Sequence, residues 1–509
     1  MTSPITLSLK GGHSVRRLRA SFDSARTTPE NRRHWVNADS LSADSAANAD
    51  ARRTLRNRCR YEVANNSYAR GIVLTIANDT IGTGPRLQLL TGSDALNRQV
   101  EREFMAWAQA VDLAEKLRTM RMARIQDGEA FAVLATNPRV DHPVQLDLKP
   151  VEADQVTSPF GTGLSPESWG LRDNFFNHSS QASSLKSQAC EIDGIRLDTW
   201  GNPVSYRLLK YHPGDFGLAY TGESLEIPAS AMIHLFRQDR PGQHRGIPEI
   251  APALPLFAHL RRFTLAVITA AEAAADFAGV LYTDAPAGGE ADNVEPMDLV
   301  ELERNLLLTL PGGWKMGQVD PKQPATTYGE FKKEILNEIA RCVCLPYNIA
   351  AGNSSGYNYA SGRLDYQSFH KAIRVDQAFM AGKVLDRILR VWLMEYGLVF
   401  GFPNDMPSNR DEGARTARGA FANATAHMPA PARCWFWDGM EHVDPAKEAK
   451  AQETRLRNNT TTLSAEYAKQ GLDWEEALRQ RARENNLMRK LGLTERESAP
   501  VTEGDEDDG

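Results

Sequence analysis

The sequence contains no run of 18 uncharged apolar residues. The nearest, LAVITAAEAAADFAGVLY from Leu265, is interrupted by Glu272 and Asp276, which argues against a membrane-spanning helix. No apolar stretch follows Met1, so a secretory signal peptide is not expected. Cysteine is scarce: Cys59, Cys190, Cys342, Cys344 and Cys434 form no Cys-x-x-Cys pair, which fits reduced thiols in a cytoplasmic setting. Cys342 and Cys344 alone would be half of a metal site, and the second pair is missing. A basic excess is missing too. Against 59 basic residues stand 65 acidic ones, net −6. A tight DNA binder draws most of its affinity from neutralising phosphates, and this balance does not supply that. Enzyme signatures are also absent. There is no phosphate-cradling Gly-x-x-x-x-Gly-Lys-Ser/Thr loop, no His-Glu-x-x-His and no Gly-x-Ser-x-Gly. No cofactor, metal or catalytic site is expected.

What is present is most informative between Thr327 and Tyr396. Tyr328, Phe331, Ile335, Ile339 and Val343 recur every three or four residues, predicting an amphipathic helix that Pro346 terminates. The segment IAAGNSSGYNYASG follows, holding three glycines and few anchoring hydrophobes, and is read as a mobile polar loop. A second stripe through Met380, Val384, Ile388 and Trp392 predicts a longer helix behind it. A polar loop between two rigid helices points to a moving contact element rather than a catalytic pocket.

Elsewhere, helices are predicted over about 52–81, 95–110 and 249–277, with strands at 86–90, 128–135, 144–149, 192–196, 204–211 and 232–236. The alanines at 266, 270, 274 and 278 repeat every four residues, making a ridge on which another helix can pack closely. A short helix is predicted at 298–306, and the chain from Asp444 to Gly492 reads as charged helices. Residues 1–50 read as a flexible arm, 157–185 as a long loop, and the terminal EGDEDDG as a disordered acidic tail. Arginine is concentrated between Lys10 and Arg60.

Several residue groups admit two readings. Asp127 and Glu129 carry paired carboxylates of the kind that hold Mg²⁺ in a nuclease, or they are acids at a turn into a strand. His244 is a ligand or base, or seats a turn before the next helix. Trp435 and Trp437 stack on bases or pack in a core. Tyr357 and Tyr359, with Asn353 and Asn358, touch a passing nucleic acid strand or lie on a loop without a partner.

The blocks RYEVANNSYARGIVLTIANDTIGTGPRL, FRQDRPGQHRGIPEIAPAL, EILNEIARCVCLPYNIAAGNSSGYNYASGR and VDPAKEAKAQETRLRNNTTTLSAEYAKQGLDWEEALRQRARE, in that order, resemble the portal proteins of lambda-type tailed phages. The resemblance covers about residues 50–492. It implies an α+β, mainly helical protomer that assembles as a ring, a homododecamer, at one vertex of the virion capsid, after assembly in the host cytoplasm. Double-stranded DNA would be packaged through that ring by the terminase large subunit and later ejected, with major capsid, scaffolding and head-completion proteins as further partners and no membrane.

Carried onto this chain, the resemblance implies a flexible arm at 1–50, a wing at 51–247 and a first stem helix at 248–278. A clip follows at 279–326, a second stem helix at 327–345 and a tunnel loop at 346–361. A wing helix with its closing segment would occupy 362–440, a helical crown 441–492 and a tail 493–509. It places Asn348, Asn353, Ser354, Ser355, Tyr357, Asn358 and Tyr359 on the DNA-facing loop and Lys332, Lys333 and Glu334 on the channel-lining stem. Asp284, Glu290, Asp292, Glu295 and Asp298 would face the terminase from the clip. An acidic or neutral lumen would let DNA slide, and Lys332 and Lys333 depart from such a lining. A Mg²⁺-dependent nuclease using Asp127 and Glu129, or a virion adaptor without a channel, are the alternatives.

Overall fold

The computed structural model describes residue 29 and residues 32–91, 93–158, 190–215, 223–276, 280–283, 314–317, 325–401, 431–439, 445–472 and 474–493. The chain begins with α1 (Ala43–Ala46), α2 (Ala49–Asn65) and α3 (Ser67–Ile81). The sequence pattern predicts one helix where α2 and α3 lie. Asn66 divides them because its backbone is extended and its side chain accepts from the Tyr68 and Ala69 amides, starting a new helix.

Next come β1 (Arg86–Leu89), α4 (Asp94–Ala110), α5 (Leu113–Asp127), β2 (Glu129–Thr136) and β3 (Leu146–Val151). Helix α5 escapes the periodicity reading because its buried face mixes Leu113, Leu117 and Met120 with Arg121 and Arg124. Its ends are set by left-handed backbone at Asp112 and Gly128. Gly128 has a second constraint. A side chain there would run into the backbone of Ile247, and one at Gly246 into the carbonyl of Gly128.

Strands β4 (Cys190–Ile192), β5 (Ile195–Leu197), β6 (Pro203–Leu209), β7 (Ser224–Pro228) and β8 (Met232–Phe236) complete the sheet body. Two antiparallel sheets, β3–β2–β8 and β4–β5–β6–β7, enclose Phe131, Val156, Ile195, Leu197, Tyr206, Leu208 and Met232. Strand β7 is absent from the sequence reading because its residues are mostly exposed and carry little apolar alternation.

A 3-10 turn at Ala251–Ala253 leads into α6 (Leu254–Asp276), about 35 Å long from its rise per residue. Short strands β9 (Val280–Thr283) and β10 (Trp314–Gly317) pair antiparallel, so the chain between them leaves and returns at one place. Residues Asp284, Glu290, Asp292, Glu295 and Asp298, and the helix predicted at 298–306, lie outside the described residues. So do most of the N-terminal arm, the long loop and the acidic tail.

Helix α7 (Ala325–Cys342) returns alongside α6, followed by α8 (Tyr347–Ala351) and α9 (Tyr359–Met380). A π-helical turn at Ala381–Leu385 carries the axis into α10 (Asp386–Phe400). Strand β11 (Arg433–Phe436) then pairs with β1, placing Leu87 opposite Trp435 across some 350 residues of chain. Asp438 continues the attachment by accepting from the Thr83 hydroxyl at 2.6 Å. The described chain ends in α11 (Pro445–Arg457), α12 (Leu463–Lys469) and α13 (Trp474–Leu491).

Two helical cores result. One gathers α4, α5, the strands and α10 around Phe104, Trp107 and Trp392. The other joins α2, α3, α6, α7, α8 and α9 through Ile72, Ile76, Phe257, Ile339, Phe369 and Ile373. Among the described residues no helix is long and apolar enough to cross a membrane.

Candidate functional site

The second core grips only one end of the α6–α7 pair. Phe257 and Leu260 are buried, but from Arg261 to Glu272 no residue of α6 is. The two helices touch there through Phe263, whose ring stacks on Tyr328 and lies 4.4 Å from that of Phe331. Leu265 and Ile268 are about half exposed, as is Phe331. An apolar face thus stands free on a helix pair that projects from the body.

Helix α7 ends in a turn in which Cys344 takes positive φ, and Pro346 caps α8. The sequence predicts loop from 346 to 361, but Tyr347–Ala351 form one short helix instead. It forms because Ile349 and Ala350 reach the second core. Gly352 closes it in the left-handed conformation, donating to the Ile349 carbonyl. The exposed turn is therefore shorter, Gly352–Gly356. Within it the Asn353 side chain accepts from the Ser355 amide at 2.8 Å, and Ser354 accepts from Tyr357.

The predicted loop residues separate accordingly. Asn353, Ser354, Ser355 and Asn358 are exposed. Asn358 caps α9 by accepting from the Ser361 amide, and Tyr359 is the first residue of that helix. Tyr357 is half-buried, folded back so that its hydroxyl meets the Asn348 backbone. Asn348 is a correction. It is 4% exposed beneath the turn, so it faces the core and cannot meet a ligand outside.

On α7, Lys333 and Glu334 are exposed and Lys332 is half-buried. The Lys332 ammonium sits 5.0 Å from the centre of the Tyr68 ring and 5.7 Å from that of Tyr328. Lys333 lies 5.8 Å from the ring of Tyr347. The Tyr68 hydroxyl raises the Lys332 pKa above its ordinary value. Among the described residues neither lysine has a carboxylate partner.

Asp127 and Glu129 are both buried and both taken. Arg60 binds the two oxygens of Asp127 at 2.7 and 3.1 Å. Glu129 receives Arg245 at 2.7 and 2.9 Å, His234 at 3.1 Å, the Gly246 amide at 3.0 Å and Arg56 at 3.3 Å. Burial alone would raise the Glu129 carboxyl, but Arg245 and His234 outweigh it and hold it well below the usual range. With every oxygen bonded to a cation or amide, these carboxylates present nothing to Mg²⁺, which overturns the nuclease reading of this pair. The arginine-rich segment belongs partly to the same network: Arg52 pairs with Asp193, and Arg56 and Arg60 reach Asp154 at 2.8 and 2.9 Å. These arginines tie α2 to the sheets.

His244 bonds Asp44 at 2.8 Å, holding α1 against its turn. Trp435 donates to Asp386 at 2.9 Å and packs beside Phe104, so it serves the core. A further cluster has no signal in the periodicity. Arg121 and Arg124 of α5 bind Glu249, just before α6, and Asp376 of α9, at 2.5 to 3.2 Å. Only charged residues at core spacing in α5 could have betrayed it. Tyr68 and Tyr347 were missed because they lie far from Lys332 and Lys333 in sequence or beyond a turn.

Residues 29–377 match the family described as phage portal protein, lambda family. Among curated proteins, one named as a probable portal protein of Halomonas phage phiHAP-1 is 24% identical over 503 residues, covering 94% of this chain and 88% of that protein. Portal protein B of Escherichia phage lambda is 20% identical over 476 residues, covering 85% and 83%. Among solved structures, the neck of an empty gene transfer agent particle aligns with TM-score 0.44 at 14% identity, covering 85% of this chain and 99% of that one.

Proposed function

Because the chain belongs to the lambda family of phage portal proteins, we propose that its copies close into a ring, a dodecamer, whose axis carries double-stranded DNA through one capsid vertex. The observation that carries this reading is the projecting α6–α7 pair with an exposed turn at its base. In the ring, the free face of Leu265, Ile268 and Phe331 is covered by neighbouring copies, because apolar surface of that size gains by leaving water. The turn Gly352–Gly356 faces the axis and bears on passing DNA through Asn353, Ser354 and Ser355, uncharged groups that touch a phosphate without gripping it.

The sheet body with α9 and α10 acts as the wing, α6 and α7 as the stem, the chain between β9 and β10 as the clip, and α11–α13 as the crown. The acids Asp284, Glu290, Asp292, Glu295 and Asp298 of the clip meet the terminase during packaging and head-completion proteins afterwards. The protein acts as a conduit in the virion without chemistry of its own.

Negative-stain micrographs of the purified protein test the proposal. Rings with a central opening are expected. Compact particles without one would sink it.

A further inference from the structure

Six residues from four separate segments make one continuous surface beside the exposed turn. Tyr357 closes the turn and lies near Tyr347 of α8, whose ring carries the Lys333 ammonium. Lys332, adjacent on α7, is near Tyr347 as well and sits between the rings of Tyr68 and Tyr328. The chain pairs many of its buried and half-buried cations with carboxylates, as Arg52, Arg60, Arg121 and Arg245 show. These two lysines are instead seated on aromatic faces, and among the described residues neither pairs with Glu330, Glu334 or Glu338 of the same helix.

The difference matters for an anion. A carboxylate-paired ammonium is already neutralised, so a phosphate must displace its partner. An aromatic ring attracts the ammonium through its quadrupole while leaving the full charge in place, and it restricts the side chain beforehand.

We propose that Lys332 and Lys333, held by Tyr68, Tyr328 and Tyr347, form a contact for the phosphate backbone of duplex DNA continuous with the turn. This rests on the channel reading and deepens it by naming which groups touch the polyanion. Two seated charges per copy, rather than a basic wall, give contacts that are individually weak and repeated around the axis. The lysines supply the charge, and the tyrosines are positioning residues.

The test uses the assembled full-length protein and a short blunt DNA duplex, with binding measured across a salt series. Each phosphate contact steepens the dependence of log affinity on log salt by about 0.9. The variant Lys332→Gln/Lys333→Gln should therefore flatten the slope by about two for each copy touching the duplex. Tyr347→Leu, which removes a ring but no charge, should weaken binding about 2–5-fold, whereas Tyr347→Phe should not.

An unchanged slope in the double variant, with rings intact by negative stain, overturns this inference and leaves the channel reading standing. Tighter binding of single-stranded DNA that alone responds to the double variant also overturns it. If the unsubstituted protein forms no rings, the channel reading fails instead. The lysine contact is then judged by the slope of the unassembled chain.

Discussion

Glu129 shows how far a single position departs from its sequence appearance. As an acid following Asp127 and Gly128 it reads first as a solvated acid at a turn into a strand, with a metal ligand as the alternative. In the folded chain it is fully buried and anchors Arg245, Arg56 and His234. Removing its charge takes from the buried Arg245 its closest carboxylate and leaves it only Asp193 at 3.1 Å, so Glu129→Gln should cost about 3–5 kcal/mol, measurable by urea unfolding. Acid should act on the same centre. Burial between Phe131 and Phe236 holds the His234 imidazole below its ordinary 6.5, so the unfolded chain takes that proton first. Stability from His234 is thus full above about 6.5 and falls as pH drops toward the folded value. Glu129 adds a second loss in the same direction once pH passes below its ordinary 4.5, since its folded carboxyl holds out to lower pH. Thermal midpoints measured from pH 8 downward should decline in that order (a rise on acidification would contradict both assignments). Ion-pair partners such as Asp193 and Asp376 were illegible beforehand, because nothing local to them marks distant arginines.

At the scale of elements, regular apolar spacing was readable and buried charge was not. Helix α7 and the helix through Met380 and Ile388 were visible because their stripes are unbroken. Helix α5 was hidden by Arg121 and Arg124 on its inner face. The turn after α7 was misjudged in extent, since Ile349 and Ala350 sufficed to dock a helical turn on the core. Removing Asn353–Tyr357 should leave ring assembly intact and impair completion or retention of packaged DNA, assayed as filled particles. Loss of rings would make the turn structural. Phe257→Ala, which opens a cavity where α6 meets the body, should cost about 3–5 kcal/mol in denaturant unfolding.

At the scale of the whole molecule, the α+β, mainly helical character was legible from periodicity, and the order of blocks pointed to the family. The pairing of distant segments was not, because strand partners leave no local trace. As a conduit, the assembled protein should show no Mg²⁺-dependent cleavage of duplex DNA on agarose gels, and product bands lost on Asp127→Ala would contradict that. The pairing of β1 with β11 has its own bearing on how a copy comes into being. A nascent chain that has delivered everything through α10 still carries the β1 segment without its strand partner, beside the core of Phe104, Trp107 and Trp392. Only when Arg433–Phe436 leave the ribosome is that segment paired and Arg433 able to clasp Asp386. The fold of each copy is therefore complete only once its last fifth has been made.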